Sequence, residues 1–251
     1  MLITVEGIVT KAINIGENDK LIAVLTKDRG LIYAFINNCK QIKSKMLAAS
    51  EICSYCKFVL FKNKEKYTVN EVQILSQFSN IRLDVNKLAL SCYLLQIVNE
   101  VVGENQTSDE YLRLILNSLY VLDNNKKNLT VVKSVFELKV ASIAGYMPNL
   151  TSCCKCGTNL ANQFYYFILS GEIVCEKCHK DVSVKYFKMT YGVFSAMKYI
   201  IYSDVSKIFS FNLSDDDAKI LYDIAENYLF FKTEINFSKL KYFNQLMFNK
   251  N

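Results

Sequence analysis

Four cysteines constrain this chain more than any other feature. Cys153-x-x-Cys156 and Cys175-x-x-Cys178 are separated by the 18 residues 157–174. Two short turns spaced this way can aim four thiolates at one ion, the pattern of a four-cysteine zinc site. Gly157 follows the first pair, leaving backbone N–H groups free to approach the sulfurs. Residues 164–169 and 173–174 flank Gly171 and read as a hairpin that carries one pair to the other. Four thiolates fill the tetrahedral shell, so one structural Zn²⁺ is expected, with no open position for an activated water. Lys155, Lys177 and Lys180 lie beside the ligands and offset their negative charge. Such an ion contributes roughly 10–16 kcal/mol in small modules, enough to hold a hairpin that has little core of its own. Two exchanges stay open within the set: His179 in place of Cys178, and Cys154 in place of Cys153.

Cys53 and Cys56 have the same local spacing but no second pair to complete a site. They fall in an expected strand, where residues three apart point to opposite faces. No helix start follows to lower a thiol pKa, so they read as inert strand cysteines rather than a redox pair. Cys39 and Cys92 read as buried or incidental. His179 is the one histidine in 251 residues, which sets aside Ser-His-Asp and Cys-His catalysis and multi-histidine metal centres. No enzymatic activity is expected. Glu6 interrupts the N-terminus before a signal-peptide core could form, and no run of 18 apolar residues exists. A cytoplasmic protein that makes no membrane contact is expected. In that reducing compartment cysteines serve as metal ligands or buried thiols rather than disulfides.

The formal charge of +6 is unevenly spread: +4 in residues 1–80, zero in 81–150 and +2 in 151–251. Seven lysines fall between Lys40 and Lys66, against Glu51 and Glu65. A local concentration of this kind can hold phosphates where the diluted average could not. The same first eighty residues read as β. Strands are expected around Ile3 to Val9, over 21–26, 31–36, 52–61 and 67–75, with Gly30 supplying positive φ to the hairpin turn after Lys27-Asp28-Arg29. Five short strands argue a small barrel or sandwich. The apolar period then changes to helical: 88–102 ending near Gly103, 111–122 opened by Ser108, and 131–144 stopped by Gly145 and Pro148. Further helices are expected over 193–201, 215–229 and 239–248, the second capped by Ser214 with Asp215, Asp216 and Asp217 in its first turn. The fold class is α+β. Its expected divisions are an OB-fold barrel over 1–80, a helical domain over 81–150 and 183–251, and an inserted zinc ribbon over 151–182.

Several strings in this order resemble the RecO family of recombination mediators. They are Gly16-Glu17-Asn18-Asp19-Lys20, Thr26-Lys27-Asp28-Arg29-Gly30, Lys43-Ser44-Lys45, and Phe136-Glu137-Leu138-Lys139. The last leads through Gly145-Tyr146-Met147-Pro148-Asn149-Leu150 into Cys153-x-x-Cys156-Gly157. The resemblance spans nearly the whole chain, resting after about residue 180 on helical character alone. It implies an N-terminal OB-fold and a helical domain with an embedded zinc ribbon. It also implies a DNA-repair role: binding of single- and double-stranded DNA, ATP-independent strand annealing and recombinase loading. The implied partners are a RecR-type clamp protein and the acidic C-terminal tail of single-strand-binding protein, and the implied place is the nucleoid. The chain departs from the family pattern at Leu47-Ala48-Ala49-Ser50, where a proline is often found, and in the less basic loop at Asn37-Asn38-Cys39-Lys40.

An OB barrel lays a single strand along a cationic groove with aromatics ready for base stacking. Lys20, Arg29, Lys40, Lys43 and Lys45 stand at matching loops and strand ends and are the expected phosphate contacts, with Lys57 to Lys66 as a secondary region. Tyr33 and Phe35 share a strand face and read first as barrel core, second as stacking residues. The rival function is an OB and zinc-ribbon protein of transcription or RNA processing.

Overall fold

The structure, a computed structural model, describes residues 1–38, 45–64, 66–180 and 184–233. It resolves into two compact units, one within Met1–Asn124 and the other within Asn125–Asn236.

The first unit is built on a closed five-stranded barrel. Its strands are β1 (Leu2–Ile15), β2 (Asp19–Thr26), β3 (Leu31–Ile36), β4 (Tyr55–Asn63) and β5 (Lys66–Ser76), and a short helix α1 (Lys45–Ala49) lies between β3 and β4. The barrel order is β1-β2-β3-β5-β4, every neighbour antiparallel except the β3–β5 closure. That is the OB arrangement. Alternation decides the interior: Val5 and Val9, Ile22 and Val24, Ile32 and Ala34, Cys56, Phe58 and Leu60 all pack inside. The expected start of β4 at residue 52 moves to Tyr55. Cys53 takes a left-handed φ of 65° in the turn before the strand, so it does not alternate with Cys56 at all. Gly30 has φ 63°, and a Cβ there would run into the Gly103 carbonyl, so both backbone conformation and space require glycine.

Three helices complete this unit: α2 (Ser79–Arg82), α3 (Val85–Val101) and α4 (Asp109–Asp123). Asp84 caps α3 by accepting from the Asn86 and Lys87 N–H groups. α3 and α4 cover the outside of β1 and β2, which is why Ile8 and Leu25 are buried on the outer face of the barrel. The loop after α3 also holds the β2–β3 turn, through Leu31 N–H to Gly103 O at 3.1 Å and Asn105 N–H to Arg29 O at 2.9 Å.

The second unit contains α5 (Leu129–Ile143), a three-stranded sheet of β6 (Gln163–Phe167), β7 (Glu172–Cys175) and β8 (Tyr186–Thr190) in the order β7-β6-β8, then α6 (Tyr191–Tyr202) and α7 (Asp215–Thr233). α5 is buried almost throughout and packs on α6 and α7. Burying its polar positions requires partners. Lys133 bonds Glu137 at 2.8 Å and Glu226 at 2.7 Å, and Lys139 donates to the Ile201 and Ser203 carbonyls at the end of α6. Ser214 caps α7 as its sequence predicts, accepting from Asp217 N–H at 3.2 Å. The expected helix over 239–248 lies outside the described residues. No helix among the described residues is long and apolar enough to cross a membrane.

Candidate metal centre and nucleic-acid face

The β6–β7 hairpin carries the two cysteine pairs to one end of the ribbon, and there the four Sγ atoms of Cys153, Cys156, Cys175 and Cys178 lie within 4.8 Å of one another. Each pair sits on a tight turn: Gly157 N–H donates to Cys153 O at 2.9 Å, and Cys178 N–H to Cys175 O at 3.0 Å. The Cys175 N–H points at Cys153 Sγ, 3.3 Å away. Gly157 has φ 74° with open space where a Cβ would stand, so the turn uses its conformational freedom rather than its small size.

The electrostatics of this cluster suit a cation. Burial alone would push the Cys153 thiol up, but the backbone N–H groups of Cys175, Cys156 and Lys155 bring it down to about 6. Hydrogen bonding with Cys156 and Cys175, with some desolvation, pushes Cys178 up to about 12. Four sulfurs this close cannot all ionise beside one another, and a divalent ion removes the conflict by taking every thiolate as a ligand. An all-sulfur tetrahedral set selects soft or borderline metals. The two exchanges left open by the sequence are not the ones assembled. His179 instead stacks flat on Tyr165, with centroids 3.6 Å apart, and meets Tyr186 edge-on. Cys154 is exposed, its N–H tied to Ile173 O. Cys53 and Cys56 are buried in the other unit, where burial raises their thiols to about 12 and about 11.

The expected phosphate contacts fare unequally. Arg29 is exposed on the β2–β3 turn, and Lys45 is exposed at the start of α1. Lys40 and Lys43 lie outside the described residues. Lys20 does not face solvent: its side chain is 10% exposed and its ammonium bonds Glu51 at 2.7 Å and Ser50 Oγ at 3.0 Å. The reason is register. Lys20 follows the inward parity of Ile22 and Val24, which puts its stem at the end of the barrel interior.

The same parity reverses the first reading of Tyr33 and Phe35. Ile32, Ala34 and Ile36 occupy the interior, so Tyr33 and Phe35 stand on the outer face, Tyr33 44% exposed and Phe35 half-buried. Cross-strand pairing extends this face in two rows: Lys11, Ala23 and Tyr33, then Ile13, Leu21, Phe35 and Thr68. Lys11 is a cation that sequence reasoning missed. Its strand parity changes at the β-bulge between Val9 and Lys11, and a bulge leaves little trace in a residue pattern.

Two family models match, Recombination protein O N terminal over residues 1–78 and Recombination protein O C terminal over residues 82–241. The chain belongs to the RecO family. Curated relatives agree in name. The chain is similar to the DNA repair protein RecO of Acetivibrio thermocellus, 34% identical over 240 residues, covering 96% of this chain and 95% of that one. It is also similar to the DNA repair protein RecO of Alkaliphilus metalliredigens, 30% identical with 96% and 98% covered, and to that of Caldicellulosiruptor bescii, 33% identical with 73% and 75% covered. The RecO N-terminal match ends where the barrel ends, and the RecO C-terminal match contains the whole cysteine cluster.

Proposed function

We propose that this RecO-family chain is a non-enzymatic mediator of recombinational repair. In this reading it binds single- and double-stranded DNA, anneals complementary strands without ATP and assists recombinase loading. The observation that carries it is the outer face of β1, β2 and β3, where Tyr33 and Phe35 lie exposed or half-buried beside Lys11, with Arg29 on the adjoining turn. On an OB barrel this is the region that receives a single strand, and aromatic faces flanked by cations stack on any base without reading its edge. Annealing asks for little more. Two polyanions must approach with their repulsion screened while the bases stay free to pair, which needs no nucleophile and no proton transfer. Lys45, exposed at the start of α1, extends the cationic rim in this proposal, and Lys40 and Lys43 stay proposed as phosphate contacts from sequence alone, whereas Lys20 serves the barrel through Glu51.

The cysteine cluster holds one structural zinc ion in this reading, because four sulfurs leave no coordination position for substrate. A RecR-type clamp and the acidic tail of single-strand-binding protein are the proposed partners, and the nucleoid the proposed place of work. An acidic tail needs cations next to apolar surface, and the end of α7 offers that: Lys185 lies 5.7 Å from the Phe231 ring centroid and Phe230 is 54% exposed. The deciding experiment mixes complementary oligonucleotides coated with single-strand-binding protein and follows duplex formation by fluorescence. Addition of this protein without ATP should accelerate pairing at low salt. An unchanged rate there removes the mediator reading and leaves a nucleic-acid-binding protein of another pathway.

A further inference from the structure

Along α6, Tyr191, Ser195, Lys198 and Tyr202 form one stripe. The two tyrosines are eleven positions apart, close to three whole turns, so their side chains leave the helix in nearly the same direction about 16 Å apart. Both are exposed, Tyr191 at 44% and Tyr202 at 49%. Asn159 and Leu160 face the stripe from the ribbon, enclosing an open groove of about 600 Å³. A second cavity of about 610 Å³ shares Leu160 and Tyr191 and runs towards Cys156 and Cys175, with Asn162 and Lys177 in its wall. The α6 side of the lining is therefore aromatic along its length, with Phe194 and Tyr199 between the exposed tyrosines and Ser195 and Lys198 among them. The cations of the whole lining are Lys177 and Lys198, its anion Glu176. Lys198 donates to the Thr151 carbonyl at 3.5 Å and lies 5.9 Å from the Phe194 ring centroid, and an ammonium has three donors to place.

We infer that this groove is a second single-stranded nucleic-acid site, separate from the barrel face, with bases stacked on Tyr191 and Tyr202 and phosphates held by Lys198 and Lys177. It rests on the reading that the chain binds nucleic acid, and extends it to a surface that reading does not use. An acidic peptide would answer the same cations, but it anchors an apolar side chain in a closed socket. This groove is open, and its two exposed tyrosines stand about 16 Å apart along the helix, which suits bases, since every base has a π-face. Two strand sites in one chain would also let it engage both complementary strands, as annealing requires.

The test uses the full chain and a dT oligonucleotide carrying 5-iodouracil, irradiated and mapped by mass spectrometry. Adducts are expected at Tyr191 or Tyr202 as well as at Tyr33. Tyr191→Ala with Tyr202→Ala should remove the α6 adducts and slow annealing roughly tenfold or more, the effect of losing stacked bases. Tyr191→Phe with Tyr202→Phe should retain both, because stacking needs the ring and not the hydroxyl. Adducts confined to the barrel would overturn the second site and leave the barrel reading intact. Adducts on α6 alone would support it while removing the barrel reading, and adducts nowhere would remove both. Loss of acidic-peptide capture in the alanine pair, with annealing unchanged, would also overturn it.

Discussion

Lys20 shows how little a residue's type says about its work. In the sequence it stands at the start of the second strand and reads as a phosphate contact. In the barrel its parity turns it inward onto Glu51 and Ser50. Lys20→Ala should therefore cost about 1–2 kcal/mol in urea unfolding, the worth of a charge-assisted pair whose acid is partly exposed, and leave the affinity for a dT oligonucleotide within twofold. Arg29→Ala should do the reverse. Cys53 and Cys56 make a second residue-level case. Their folded pKa values, about 12 and about 11, lie above the ordinary 9.0. A raised pKa contributes stability that is fully present below pH 9 and disappears as pH rises through the folded values. Unfolding free energy should accordingly fall between pH 9 and pH 11, on the order of 2 kcal/mol for each thiol by pH 10.5. Cys53→Ala should flatten that slope. If the two thiols react freely with an aromatic disulfide reagent at pH 8 in the folded protein, their burial has been misjudged.

At the scale of elements, the ribbon and the barrel were unequally readable. The cysteine spacing and the residues between the pairs dictate a hairpin because both ends must meet at one ion, and β6 and β7 follow it closely. The third strand β8 carried no such signal. Its pairing with β6 is long-range, and Lys188 and Thr190 look outward in a stretch where the residue pattern predicts no strand, within the expected helical division 183–251. α3, α4, α5, α6 and α7 appear where apolar period and caps place them, most with an extra residue or two at an end. Cys175→Ser should lose the bound metal, about one zinc per chain by elemental analysis in the parent, and open β6–β7 to protease. Lys20 to Tyr33 in the barrel should remain as resistant as before. Retention of full metal by Cys178→Ser, together with its loss in His179→Ala, would contradict the ligand set that the geometry assembles.

Across the whole molecule, where the charge sits matters more than how much of it there is. A net +6 spread evenly would bind nothing well, but +4 of it lies in the barrel residues, and exposed cations on one face act together on a polyanion. Replacing Lys11, Arg29 and Lys45 together by glutamine should flatten the dependence of log affinity on log salt for single strands by about 2, from about 0.7 per contact. A smaller change would move the strand elsewhere on the chain. Sequence alone determined the class of fold, the spacing of the cysteine quartet, most helices and the family, because these depend on local period, turn chemistry and short-range pairs. Only tertiary structure decided that Lys20 turns inward, that Tyr33 and Phe35 face outward, and that Lys11 joins them. In a closed barrel the inside is chosen by pairing between distant strands, and a single bulge exchanges the two faces without altering the composition of either.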